Sequence, residues 1–547
     1  MSNPRDFETQ RAAGAFDLSL SRRPLEVSRR SLLRAGFAAS AGLAIGGALA
    51  SCSSGGSGSG SPQVTPTVRP RRGGTLHGVI SDSSSLNKLD IAYLDDTMDG
   101  LTHGLVYDWL VQIDENFKVL PGLAESWEPN TDGTVWTFKL RKGVTFSDGK
   151  TLTSEDVVWS MQRLSDPKGQ GAGLAIFQPY FGPGNVMAKG PDIVQFNLKR
   201  PNFLFPQIVA CAYAPVAQAN TTNWKSPATS GPFIVETYNP GVSYTFRRNP
   251  NYWQSGLPYL DELSFLTEQS QPTKVEAVLT GSAQLGDAMD ASYNHAFLSS
   301  STADLLQAPG GQYPVICFLY DKAPYADPNV QEALRLVTDR QKMAQLAYFG
   351  AAQPVADIPV PPSDPWYPKD FPVPAADPEK ARFLLKKAGQ SGLKVTIYTS
   401  PFLPGIAEVP VLYKEMAAKA GINVSVVDVN ETTYLSQVWS AKPSFMDIWL
   451  RQSTAILPPL LFTPHSPYNE IRYPNGDIAA AFASAFAKPN ESDQRRLIGD
   501  AMHLIATRTS EVIPCYADFT WPKSKQLLGI TPSWQTVVDL KTAFLAS

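Results

Sequence analysis

The sequence predicts an α/β protein of more than one domain, on three observations. The chain has 547 residues, more than one hydrophobic core ordinarily organises, so two or three domains are expected. Leu393 to Tyr398, about 409 to Ala420, and Ile422 to Val429 read as strand, helix and strand, a β-α-β unit that requires a parallel pair. The stretch Leu120 to Asp166 reads as strand, turn and capped helix, an α+β unit of its own.

Taken in order, Gly73 to Ile80 opens the body with a strand, Ser81 to Asp90 is polar and turn-rich, and Leu101 to Ile113 carries helical spacing. In the next stretch Trp136, Phe138 and Leu140 alternate with Thr137, Lys139 and Arg141, the period of a strand with one buried face. Asp132-Gly133 enters this strand and Ser147-Asp148-Gly149 follows it, turn pairs in which Gly tolerates positive φ. Thr153 with Asp156 three residues on predicts a capped helix whose buried stripe is Val157, Met161 and Leu164. Strands are expected at Ile193 to Leu198, Leu260 to Phe265 and Val315 to Tyr320. Asp327-Pro328 is an N-cap with Pro at N1, opening a helix towards Asp339-Arg340. Asp377-Pro378 repeats the device, with Gly389 as the stop.

Composition excludes several functions. Net charge is -3, so no basic field invites nucleic acid. Hydrophobic residues make up 43%, with 11 Trp, 20 Tyr and 26 Phe, enough for globular cores and an aromatic cleft. The 5 histidines form no HExxH and no close metal-ligand pair. The chain holds no G-x-S-x-G elbow and no phosphate loop. Neither catalysis nor a metal or other cofactor is expected.

The first seventy residues read as an address. Ser28-Arg29-Arg30-Ser31-Leu32-Leu33-Arg34 resembles the twin-arginine export motif, and Ala35 to Ala50 is a mildly apolar run too weak for a membrane span. Leu49-Ala50-Ser51-Cys52 resembles a lipobox, with Cys52 as the acylated anchor. A Gly/Ser/Pro tether over 53–72 follows. With Cys52 lipidated, Cys211, Cys317 and Cys515 allow at most one disulfide, and their apolar surroundings favour buried thiols.

Leu123-Ala124-Glu125-Ser126-Trp127, Leu140-Arg141, Asp148-Gly149 and Glu155-Asp156-Val157-Val158 stand in an order and spacing similar to the signature of family 5 extracellular solute-binding proteins of ABC importers. Ser230-Gly231-Pro232-Phe233, the run Arg248-Asn249-Pro250-Asn251-Tyr252-Trp253 and the block Pro324 to Arg340 extend the resemblance, although Tyr320 replaces the usual asparagine. The resemblance implies a two-lobed periplasmic-binding-protein-like α/β fold (class II, family 5 type) with an extra small α+β domain. Lobe I would comprise 73–110, 206–312 and 516–547, the small domain 111–205, and lobe II 313–515. It further implies a monomer that takes a small-molecule ligand in the seam between lobes and delivers it to an ABC permease and its ATPase. Seam candidates are Tyr320, Asp321, Trp449, Arg451, Tyr516, Phe519 and Trp521. Peptide carriers of the family hold an aspartate where alignment puts Ile456, so the expected ligand is not a peptide held there by its ammonium. A secreted enzyme or a non-transport surface sensor on the same scaffold is the alternative reading.

The export reading predicts that Cys52→Ala releases the protein from membranes and that replacing Arg29 and Arg30 together by lysine accumulates precursor, both read by fractionation and immunoblotting. Unchanged membrane-anchored export in both variants would contradict it.

Overall fold

In the computed structural model, the described residues are 69–546 apart from 83–88, 95–96, 170, 401–405 and 534–536. Arg29, Arg30 and Cys52, with the segment 1–52 and most of the tether 53–72, lie outside them. The body from Pro70 onward forms one compact unit. Among the described residues no helix is long and apolar enough to cross a membrane.

The chain enters through β1 (Thr75–Ile80) and α1 (Thr97–Val106). Leu101 to Ile113 is therefore not one helix: α1 stops at Val106, and Asp108–Trp109 and Val111–Ile113 are extended. Gly231 ends it, because its N–H bonds the Val106 carbonyl at 2.9 Å and its backbone lies so close to Val106 and Tyr107 that a side chain has no room. A separate sheet follows, built from β2 (Ala124–Pro129), β3 (Val135–Leu140), β4 (Val186–Ala188) and β5 (Ile193–Asn197), in the order β2-β3-β5-β4. Its buried face holds Trp136, Phe138 and Leu140, and α2 (Ser154–Ser165) buries Val157, Met161 and Leu164. Asp156 accepts from the Thr153 N–H at 2.8 Å, and Gly133 and Gly149 take φ of 71° and 87° in the flanking turns.

Among the described residues the main sheet has 12 strands. One half consists of β6 (Phe233–Asn239), β7 (Ser243–Arg248), β8 (Glu262–Thr267), β1 and β9 (Leu285–Gly286). The chain then runs along β10 (Ala303–Phe318), α3 (Pro328–Leu336), α4 (Arg340–Ala347), β11 (Ala352–Pro354) and α5 (Pro378–Lys387). After β12 (Lys394–Thr399) come α6 (Glu408–Ala418), β13 (Asn423–Asp428) and β14 (Ser444–Leu450). The last elements are α7 (Leu457–Phe462), α8 (Asp477–Phe486), α9 (Glu491–Arg508), β15 (Glu511–Val512) and β16 (Cys515–Ser524). The second half of the sheet is β14, β12 and β13, with β12 and β13 parallel as the β-α-β reading requires.

Two strands, β10 and β16, join the halves. The crossing strand begins at Ala303, twelve residues before the expected Val315, because polar residues and Pro309-Gly310-Gly311 disguise its first part. The expected single helix from Asp327 is also two: α3 ends at Leu336, and Asp339 caps α4 by accepting from the Lys342 N–H at 3.0 Å. Cys211, Cys317 and Cys515 are free and buried.

Arg340 and Asp357 form an ion pair 1% and 2% exposed, and Asp357 also accepts from the Ile513 N–H at 2.9 Å. Removing one partner strands the other charge. Arg340→Met should cost about 3–5 kcal/mol in chemical denaturation, with much of the loss recovered by adding Asp357→Asn; a loss under about 1 kcal/mol would show that the pair does not hold this region.

Candidate functional site in the seam

The two faces of the crossing sheet do different things. On β10, Tyr313, Val315 and Cys317 pack into the core shared with the small sheet, whereas Ile316 and Phe318 pack into the core behind the second half. On β16, Tyr516, Phe519 and Trp521 join the first core, and Cys515 and Ala517 the second. The seam is the inward face of this joint.

Arg451 directly follows β14, its N–H bonding the Gly311 carbonyl at 2.8 Å. Its side chain is 3% exposed, and the guanidinium lies 4.6 Å from the Phe117 ring centroid, a cation over an aromatic face. Phe117 sits at φ 59° in the tight turn between Val111–Ile113 and Val119–Pro121, so a loop near the small sheet lids the arginine. Burial lowers the Arg451 pKa, partly offset by Asp364. Asp364 is buried, and burial pushes its carboxyl up to about 6 against hydrogen bonds and the Arg451 charge. Its Oδ1 accepts from the Trp366 N–H at 2.8 Å and the Thr454 hydroxyl at 3.1 Å, and its Oδ2 has no partner among the described residues. Tyr516 is fully buried, with its ring 4.9 Å from that of Tyr313; its hydroxyl, Trp366 Nε1 and Trp521 Nε1 have no acceptor among the described residues. Ser453 donates to Gln207, tying the 451–456 loop to Phe205–Val209.

The other candidates are spread along the joint, Trp521 opposite Leu306 and Tyr320 just past the end of β10. Phe519 and Trp521 make a ring contact at 4.8 Å. Trp449 is half-buried opposite Tyr313 in the ladder, its indole donating to Glu470 at 2.9 Å. Tyr320 stacks edge-on to Tyr473 at 5.4 Å. Asp321 is exposed and engaged by Arg472 at 3.0 Å, apart from the Arg451 cluster. Sequence reasoning missed Asp364, Trp366 and Phe117. The first two stand in the proline-rich connection after Pro359, and a tryptophan in such a connection was the available signal.

A cavity of ≈ 210 Å³ lined by Tyr107, Asp108, Trp109, Tyr252, Asp539 and Lys541, among others, contains none of these groups. Of the acids in its lining, Asp108 accepts from Trp253 at 2.9 Å and Tyr252 at 3.4 Å and Asp539 pairs with Lys541 at 2.8 Å, whereas beside β10 and β16 three donors and Asp364 Oδ2 have no partner among the described residues.

Residues 118–465 match the model of the bacterial extracellular solute-binding proteins, family 5 Middle. The chain is 27% identical over 455 residues to the glutathione-binding protein GsiB of Escherichia coli (strain K12), covering 78% of this chain and 86% of that protein. Among solved structures, it is similar to the periplasmic binding protein AgaA of A.tumefacien R10 in complex with agropinic acid, with TM-score 0.74, 20% identity, and 87% and 99% of the two chains covered. It is also similar to the ABC transporter-associated DppA of Helicobacter pylori in complex with peptide STSA, with TM-score 0.75, 21% identity and the same coverage.

The buried acid makes a pH prediction. A carboxyl raised from 3.8 to about 6 contributes stability that is fully present below the unfolded value and lost as pH rises through 6. Asp364→Asn should therefore gain on the parent by about 2–3 kcal/mol between pH 4 and pH 7 in urea denaturation; a difference that does not change with pH would contradict the burial argument.

Proposed function

We propose that this chain, which belongs to the bacterial extracellular solute-binding proteins of family 5, captures one small organic solute in the seam beside β10 and β16 and delivers it to an ABC import permease with its ATPase. In this reading Cys52 carries the lipid that holds the receptor on the outer face of the cytoplasmic membrane, and the receptor works as a monomer without turnover. Arg451, Tyr516, Phe519, Trp521, Trp449 and Tyr320 serve the ligand. Asp321, occupied by Arg472 at the surface, serves it least.

The carrying observation is the imbalance of polar atoms in the seam. Tyr516 Oη, Trp366 Nε1 and Trp521 Nε1 are donors without acceptors among the described residues, and they accompany the buried Arg451 cation. Buried donors without partners cost roughly 1–3 kcal/mol each, which an acceptor-rich ligand recovers. The ligand is thus an organic acid or another solute with carbonyl or anionic oxygens. A free ammonium is poorly served: Ile456, at the aligned position of the family's aspartate, is apolar and 4% exposed. Asp364 is the acid at hand, but its field already acts on Arg451, so an ammonium there would meet a like charge. The ligands in the relatives' names, glutathione, agropinic acid and a peptide, differ enough that the shared scaffold leaves this choice to the seam.

Titration calorimetry with organic acids, sugars, free-amine peptides and their N-acetylated forms tests the reading. An anionic or blocked ligand should bind one per chain, and Arg451→Gln should weaken it by a factor of ten or more, about 1.4 kcal/mol at the least. Tight binding of free-amine peptides that disappears on N-acetylation would overturn the ligand class.

A further inference from the structure

Behind Trp449 the seam-side face of the crossing sheet carries a second, unassigned constellation. In the ladders Cys317 stands opposite both Phe445 and Glu511, and Val315 opposite Asp447. Directly opposed residues share a face, as do residues two apart on a strand. Cys317, Glu511 and Asp447 therefore emerge on one side of the sheet, and Glu470, on the 463–476 connection between α7 and α8, comes down over them. The thiol sulfur and one oxygen each from Glu470 and Glu511 lie within 4.8 Å of one another. All three residues are at most 2% exposed, and Asp447 is 8% exposed.

Three carboxyls and a thiol are thus buried together, and none of the carboxyls has an ion pair among the described residues. Glu511 Oε2 is buried with no hydrogen-bond partner among the described residues. Glu470 is held from outside: Trp449 Nε1 donates to its Oε1 at 2.9 Å and Trp439 Nε1 to its Oε2 at 3.1 Å, while Trp439 also donates to Asp447 at 2.7 Å. Outer donors of this kind orient ligating carboxylates. Burial raises the Glu511 carboxyl to about 8 and the Glu470 carboxyl and Cys317 thiol well above their ordinary values.

We propose that Cys317 Sγ and one carboxylate oxygen each of Glu470 and Glu511 bind one divalent transition-metal ion of the zinc class. A thiolate among carboxylates suits zinc or cobalt and disfavours magnesium and calcium, which take oxygen alone. Binding displaces the protons of the thiol and the two carboxyls into solvent, so the dication replaces buried protons and the ligand set becomes singly negative. Cys317 and Glu511 are fixed by strands and Glu470 by a connection, so the ion clamps 463–476 onto the sheet. That connection also receives the Tyr320 N–H at Ile471, 2.8 Å, and its Glu470 holds Trp449, so the metal would set two aromatics at the edge of the seam. The ion is structural in this role and separate from the transported solute.

The test uses the full chain stripped with a chelator and titrated with Co²⁺ alone. A near-ultraviolet thiolate-to-cobalt band should grow to saturation at one equivalent and be displaced by Zn²⁺. Cys317→Ser should abolish the band, Cys211→Ser should keep it, and Glu511→Gln should weaken cobalt binding by about tenfold or more. Absence of the band in the parent overturns the proposal, as does a band that survives Cys317→Ser or an unchanged affinity in Glu511→Gln. Should Cys317→Ser fail to fold, the parent and the near-isosteric Glu511→Gln decide the matter.

Discussion

The antiparallel pairing of β10 with β16 is the constraint on which the molecule depends. Ala303 to Ala308 run opposite Ser524 to Phe519 in unbroken register, and the ladder resumes only with Gln312 opposite Ala517. Three residues on one strand, Pro309-Gly310-Gly311, thus stand against one, Asp518, on the other. Gly310 adopts φ 62°, and a Cβ on Gly311 would lie 2.5 Å from that of Phe519, so glycine is required for the strands to stay joined through the irregularity. The two halves of the main sheet are joined through these strands.

From that joint follow the two chemistries of the inward face. At its end near Gly311, the backbone fixes Arg451, and the guanidinium meets Phe117 from the small-sheet side and the Asp364 field from the proline-rich connection. Farther along β10, the same face turns Cys317 towards Glu511 and Glu470. Trp449 links the two regions, lying opposite Tyr313 in the ladder and donating to Glu470.

How much of this was legible depended on whether the cause was local. Alternation at Trp136, Phe138 and Leu140, the Thr153–Asp156 cap, the Asp377 cap and the β12-α6-β13 unit all arise from neighbours in sequence, and each was readable there. The start of β10 at Ala303 was not, since its outer half is polar and its pairing with β16 spans over two hundred residues of chain. Helix α1 ended early because Gly231, far along the chain, bonds its last carbonyl. In the site, Arg451 and Tyr516 were visible because a strand end beside the family's blocks drew attention to them. Asp364 and Phe117 were not, since nothing in a proline-rich connection or a five-residue turn says that it folds over a distant arginine. Cys317, Glu470 and Glu511 were invisible as a group for the same reason: metal-ligand spacing is a sequence signal only when the ligands share one element.

The central claim is that this is a receptor whose halves close about β10 and β16 on a solute bridging them. Small-angle X-ray scattering of the protein, free and saturated with its tightest-binding solute, tests it most directly. Closure predicts a smaller radius of gyration and a shorter maximum dimension in the loaded protein; superimposable curves at demonstrated saturation would contradict it.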